Sequence, residues 1–389
     1  MCSFDVVHNR QHTRSVKWDM LESVFQTKDV LPMWVADMDF SAPHAVNEAL
    51  KKRVEHGIYG YTIVDDAVKQ AIVHWISSRH GWEIKPDWLS FSPGVVTSLN
   101  IAIQTFTEPG DGVLIQPPVY TPFFNIIEQH GRQIIKNPLI QKNDYYEIDF
   151  ADFEAKLQQG VKAFMLCSPH NPVGRVWSKE ELKEMARLCR KYDVLILADE
   201  IHCDLLYPGE RHIPIASLSE DIADLTVTFM APSKTFNLAG LQASYIITSD
   251  ERKRSKLEKT LKKQGLGMLN TMGNIAMETA YLHGAAWLDE FRNIMQTNKN
   301  YVIDMLHSHT DVLRVTRSEG TYLLWIDCSG MQLDAEALET FMIKKAKVGL
   351  NPGKSYGEEG KSFMRMNIAC PQSTLEEGVK RIITAVNNH

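Results

Sequence analysis

Six short apolar runs recur between about residues 88 and 250: W-L-S-F-S, G-V-L-I-Q, A-F-M-L-C, V-L-I-L-A, T-V-T-F-M and A-S-Y-I-I-T. They show little polar alternation, the pattern of strands buried on both faces. The intervening segments read as amphipathic helices: S-K-E-E-L-K-E-M-A-R-L-C-R-K-Y opens on Ser178, a good N-cap, and then spaces its apolar residues three and four apart. Such alternation predicts an α/β domain with a mostly parallel sheet covered by helices on both faces. Before about residue 45 and after about residue 290 these runs are fewer. The expected organisation is therefore an N-terminal arm and part of a small domain over 1–45, a large domain over 46–287, and a C-terminal small domain over 288–389.

Composition narrows the class. Hydrophobic residues make up 44% and charged residues 23%, ordinary for a globular chain, and a net charge of -6 argues against nucleic acid as a partner. No apolar stretch reaches the length needed to span a bilayer. The start, M-C-S-F-D-V-V-H-N-R, lacks the basic-then-apolar order of a signal peptide, so a cytoplasmic location is expected. The six cysteines, Cys2, Cys167, Cys189, Cys203, Cys328 and Cys370, show no paired spacing, which suits reduced thiols. Cys167 with His170, or His202 with Cys203, lacks the second half of a zinc site, and no metal is expected.

Ligands of open α/β sheets bind at the carboxyl ends of the strands, so the residues that follow each run matter most. After L-S-F-S comes P-G-V-V-T-S-L-N, a glycine at a helix start, where free N–H groups and the dipole favour a phosphate. Tyr120 follows the second run on a proline-bounded turn, and Asn171 follows the third within S-P-H-N-P-V-G. V-L-I-L-A runs into Asp199, Glu200, Ile201 and His202, and T-V-T-F-M into Ala231, Pro232, Ser233 and Lys234. Taken singly, Lys234 is a solvated surface residue, Asp199 a loop carboxylate and Asn171 a turn residue. Together they stand one strand–helix unit apart and would meet on one rim. A phosphorylated, nitrogen-heterocyclic aldehyde uses every one of these groups: an amine for its carbonyl, a carboxylate for its ring nitrogen, an aromatic face and a phosphate cradle. Pyridoxal phosphate demands this division of labour. G-L-N-P-G-K-S, residues 349–355, is a decoy, one residue short of a phosphate-loop spacing.

These residues resemble the fold-type I pyridoxal-phosphate enzymes of the class I/II aminotransferase family. The matching segments are S-P-H-N-P-V-G, A-D-E-I-H, A-P-S-K-T-F-N-L-A-G-L and N-P-G-K-S-Y-G-E-E-G-K-S-F-M-R-M-N-I-A, spread in the family's order over nearly the whole chain. W-V-A-D-M-D-F, H-G-I-Y-G-Y-T, D-E-I-H-C-D-L and H-G-A-A-W-L-D look like its MalY/PatB-type cystathionine β-lyases. The resemblance implies a large domain with a mostly parallel seven-stranded sheet, a smaller α/β domain from both chain ends, and a homodimer. It implies that Lys234 forms the imine and carries the proton, that Asp199 pairs with the ring nitrogen, and that Asn171 and His202 sit at the ring's O3′ edge. Tyr120 would stack on the ring; Gly94, Val95 and Ser233 would hold the phosphate, with Tyr61 reaching it from the other subunit; Arg365 would grip the substrate carboxylate.

Two positions depart from the aminotransferase pattern: Ala231 stands where a serine is usual and Gln242 where an arginine is usual. Fewer phosphate donors fit the lyase subfamily. The expected reaction is elimination from L-cystathionine or a related cysteine S-conjugate, giving a thiol, pyruvate and ammonia. Its rivals are amino-group transfer by the same site and a regulatory or binding role on the same fold, although no basic DNA-reading segment is appended. Met33, Trp34 and Tyr322 are candidates for the substrate pocket's walls, with ordinary core packing as the alternative.

Overall fold

A computed structural model describes residues 4–389. Cys2 lies outside the described residues; Cys167, Cys189, Cys203, Cys328 and Cys370 are buried free thiols. The main sheet has seven strands, β1 (Leu89–Ser92), β2 (Gly112–Ile115), β3 (Gln133–Lys136), β4 (Ala163–Cys167), β5 (Leu195–Asp199), β6 (Thr226–Met230) and β7 (Ser244–Ile247). Their order is β1-β7-β6-β5-β4-β2-β3. Only β7 runs antiparallel to its neighbours, β1 and β6, and all other pairs are parallel.

The side-chain period of two explains the continuous apolar runs. In β4, Phe164 and Leu166 face the buried Leu182, Met185, Ala186 and Cys189 of helix Lys179–Lys191, while Ala163, Met165 and Cys167 face Leu99, Ala102 and Ile103 of helix Val95–Phe106. Each fully buried Leu or Phe contributes about 1.5–3 kcal/mol, enough to make both faces strongly apolar. Ser178 caps the first of these helices in a capping box with Glu181. β3 is the strand that the apolar runs did not reveal. It lies at the sheet edge with Gln133 and Lys136 exposed and Ile134 and Ile135 half-buried, so burial never demanded an apolar run there.

A second, antiparallel sheet is built from β8 (Arg314–Val315), β9 (Leu323–Asp327), β10 (Asn351–Pro352) and β11 (Phe363–Asn367), in the order β8-β9-β11-β10. Both chain ends meet beside it, where Leu31–Pro32 pairs in parallel with Val348–Gly349. The N-terminal arm is pinned by charge. Asp39 accepts from buried Lys17 at 2.7 Å, from Arg10 at 2.7 Å and from the Trp18 indole at 2.9 Å, and Arg10 also pairs with Asp37 at 2.6 Å. These contacts hold Asp39 below the ordinary carboxylate range against the opposing effect of its burial. No helix among the described residues is long and apolar enough to cross a membrane.

Candidate active site

The carboxyl ends of β4, β5 and β6 lie level: Cys167 is in register with Asp199, and Asp199 with Phe229. Asn171, Asp199 and Lys234 therefore open on one cavity of about 200 Å³, as expected for a parallel sheet. Tyr120, His202, Gly94, Val95 and Ser233 line the same cavity, together with Ala36, Thr97, Ile201 and Gln242. The loop carrying Asn171 is locked by Gly174. Its φ of +74° is left-handed, and a Cβ there would fall 2.2 Å from the Ser318 hydroxyl, so only glycine fits.

At one end of the cavity helix Val95–Phe106 begins, with Gly94 as N-cap. The first bond of this end runs from the Ser98 N–H to the Gly94 carbonyl, leaving the N–H groups of Val95, Val96 and Thr97 without acceptors among the described residues. Their partial positive charge faces a cavity whose lining also includes Ser233 and Gln242.

At the sheet end two adjacent carboxylates part company. Glu200 faces away, accepting from His212 at 2.9 Å and from the Ile215 N–H at 3.1 Å. Asp199 faces the cavity, and its only side-chain partner among the described residues is the Ile201 N–H at 3.3 Å. Burial pushes its carboxyl up to about 7, against the smaller opposing pull of that N–H and of Lys234. Lys234 is pulled the other way: burial first, then the charge of Arg365, lower its ammonium to about 8. Its Nζ donates to the Ala36 carbonyl at 2.6 Å, and the Tyr322 hydroxyl donates to that same oxygen at 3.0 Å. His202 is held neutral by burial, with its pKa lowered to about 3, and its buried Nδ1 has no partner among the described residues.

Arg365 enters from β11, where it lies opposite both Trp325 of β9 and Asn351 of β10. It donates to the Asn171 side-chain oxygen at 3.1 Å, the Trp34 carbonyl at 2.9 Å and the Asn351 side-chain oxygen at 2.7 Å, and its guanidinium lies 5.1 Å from the Tyr356 ring centre. Its Nε is buried without a partner among the described residues. Tyr61 is not part of this cavity; it stands 97% exposed.

Several contributors escaped the sequence reading. The Ala36 and Trp34 groups are backbone carbonyls, which no residue type announces. Asn351 sits inside the phosphate-loop decoy, which in fact forms β10 and a following turn of 3-10 helix, Gly353–Tyr356. Asn237 bonds Met38 and Phe40 and thereby ties the Lys234 loop to the N-terminal arm. Of the suggested walls, Met33 packs into the core, where a Cβ on Gly378 would lie 2.5 Å from its sulfur.

The donor set fits pyridoxal phosphate. Asp199, buried and short of a cationic partner, complements a protonated ring nitrogen; the open helix start complements a phosphate; the unpaired His202 Nδ1 and Asn171 amide offer contacts at the ring edge. The model of the family described as aminotransferase class I and II matches residues 28–382. The chain belongs to that family. It is 48% identical to cystathionine β-lyase PatB of Bacillus subtilis, over 99% of this chain and all of that one. Among solved structures, cystalysin from Treponema denticola, which contains a pyridoxal 5′-phosphate cofactor, superposes with a TM-score of 0.97 at 38% identity, covering 100% of this chain and 99% of that one. The pyridoxal-phosphate-bound C-S lyase from Staphylococcus hominis superposes with a TM-score of 0.93 at 32% identity, covering 99% of this chain and 98% of that one. The family's fold-type I architecture agrees with the seven-stranded, mostly parallel sheet.

Proposed function

We propose that the protein is a pyridoxal-phosphate-dependent carbon–sulfur β-lyase that converts L-cystathionine or a related L-cysteine S-conjugate to a thiol, pyruvate and ammonia. The observation that carries the cofactor is the cavity in which buried, poorly partnered Asp199 lies with Lys234 and an open helix start. The choice of elimination over transfer is supported by the 48% identity to a cystathionine β-lyase along the whole chain. Ala231 and Gln242 point the same way.

When bound, pyridoxal phosphate supplies an electron sink for the pair of electrons left at Cα. The residues of this chain do the rest. Lys234, with its ammonium already weakened by burial, gives an amine able to take the Cα proton near neutral pH. Asp199 holds the proton at the ring nitrogen, where its buried carboxylate gains the cationic partner it otherwise lacks. Arg365 binds the substrate carboxylate through its planar fork, for which its unpaired Nε is available. Asn171 and neutral His202 orient the ring edge, Tyr120 covers a face, and Gly94, Val95 and Ser233 hold the phosphate. The Ala36 carbonyl, 2.6 Å from Lys234 Nζ, gives the freed amine a fixed resting place between proton transfers.

The functional unit in this reading is a homodimer in which Tyr61 of the partner subunit reaches the phosphate. Its support is an exposed apolar stretch, Ile58, Tyr59, Tyr61 and Ile63, that finds no cover among the described residues. In this reading the chain divides into an arm and part of the small domain over 1–45, a large domain over 46–287 and a small domain over 288–389, with the two separate sheets as support.

Lys234→Ala tests the reading. It is expected to fold normally and to lose pyruvate release from cystathionine. Full turnover by that variant would overturn the assignment.

A further inference from the structure

A buried carboxylate outside the cavity ties together the two loops that carry the site. Asp204 follows His202 in the loop after β5, and Thr235 follows Lys234 in the short helix Pro232–Thr235 after β6. The Thr235 hydroxyl, fully buried, donates to Asp204 Oδ2 at 2.8 Å. The rest of the carboxylate is bound to helix Asp66–His80: His80 Nε2 lies 3.0 Å from Oδ1, and the Trp75 indole N–H reaches Oδ1 at 3.2 Å and Oδ2 at 3.3 Å. His80, Cys203 and Asp204 have ligand atoms within 4.8 Å of one another, the look of a metal site. Both oxygens of Asp204 are already committed to this hydrogen-bonded group, however, so the cluster reads as an anchor.

Its position gives the anchor a task. Lys234 is held at its tip by the Ala36 carbonyl and at its root by whatever fixes Thr235. Thr235 makes no side-chain hydrogen bond other than the one to Asp204 among the described residues. Asp204 lies in the loop that follows Asp199 and carries His202, so this bond adds a side-chain link between that loop and the residue next to the lysine, beyond the β5–β6 ladder that ends at Asp199 and Phe229.

We infer that Asp204 is a positioning residue for the lyase reaction, acting through the Thr235 hydroxyl to hold Lys234 at its working distance from the Asp199–His202 loop. The inference rests on the reading of Lys234 as the cofactor-bound, proton-carrying lysine. Loss of the bond shifts the amine, and small misplacements of a reacting group are costly while substrate binding through Arg365 is untouched.

The test compares Thr235→Val, which keeps the shape and removes the hydroxyl, with Thr235→Ser, which keeps the hydroxyl. Thr235→Val is expected to lower kcat by about tenfold to a hundredfold with KM changed by less than about twofold. Thr235→Ser is expected to stay within about twofold of the parent protein in both. A readout independent of turnover accompanies these: cofactor-free protein is mixed with pyridoxal phosphate, and the growth of the lysine-bound visible absorption band is timed. That growth is expected to slow in Thr235→Val and to recover in Thr235→Ser, with thermal melting confirming that each variant is folded; if valine prevents folding, Thr235→Ala takes its place. Unchanged kcat and band growth in Thr235→Val, or equal impairment in Thr235→Ser, overturns the inference and leaves the lyase reading standing. A parent protein that forms no such band, or a Lys234→Ala variant that does, sinks the lyase reading and this inference together.

Discussion

Asp199 and Lys234 are both buried against their charged forms, and the cofactor-free protein bears that cost. Asp199 titrates at about 7 instead of its usual 3.8, so the folded state holds a proton that the unfolded chain has released between those values. Its contribution to stability is fully present below about 3.8 and is lost as pH rises through about 7. Asp199→Asn removes this penalty. The cofactor-free variant is expected to melt higher than the parent protein at pH 8, by an amount that shrinks to nothing near pH 4, while its pyruvate release collapses. Melting curves of the two proteins across pH decide it; a difference independent of pH would show that Asp199 does not carry the strain. Lys234 was legible because it follows an apolar run alongside its partners. Its acceptor at Ala36 was not, since a carbonyl looks alike under every side chain.

Among elements, the strand ends do most of the positioning. The level ends of β4, β5 and β6 turn a one-dimensional spacing of loops into a shared cavity, and this was readable because parallel strands buried on both faces leave unbroken apolar runs. β3 was not readable from those runs, because only two of its four residues, Ile134 and Ile135, pack inward, one on each face, between exposed Gln133 and Lys136. Arg365 belongs to the opposite case: its strand, β11, is antiparallel and distant in sequence, and only the resemblance singled it out. In the proposed reading, the start of helix Val95–Phe106 offers the phosphate its backbone N–H groups. Gln242→Arg adds a cation at the cavity's edge. Cofactor retention during dialysis is expected to tighten by about tenfold, the value of one charge-assisted hydrogen bond. Unaltered retention would place Gln242 away from the phosphate.

For the whole molecule, the exposed stretch around Tyr61 and the charged staple of the N-terminal arm point to different partners. The arm is satisfied internally, since Lys17, Arg10 and Trp18 converge on Asp39 and carry the segment containing Ala36 over the cavity. Tyr61 has no such cover. Sedimentation equilibrium is expected to return a two-chain mass, and Tyr61→Phe to weaken cofactor retention by about tenfold, one hydrogen bond to a charged group, without splitting the dimer. A monomer that keeps its cofactor and turns over normally would remove Tyr61 from the site.

Elimination and transfer use the same amine, carboxylate and arginine and differ in the fate of the carbon–sulfur bond. The decisive measurement follows thiol and pyruvate together when the purified, cofactor-loaded protein acts on L-cystathionine with no keto acid present. Equal amounts of thiol and pyruvate, released over many turnovers, are the predicted result. Turnover that begins only on adding a keto acid, with no thiol released, would contradict it.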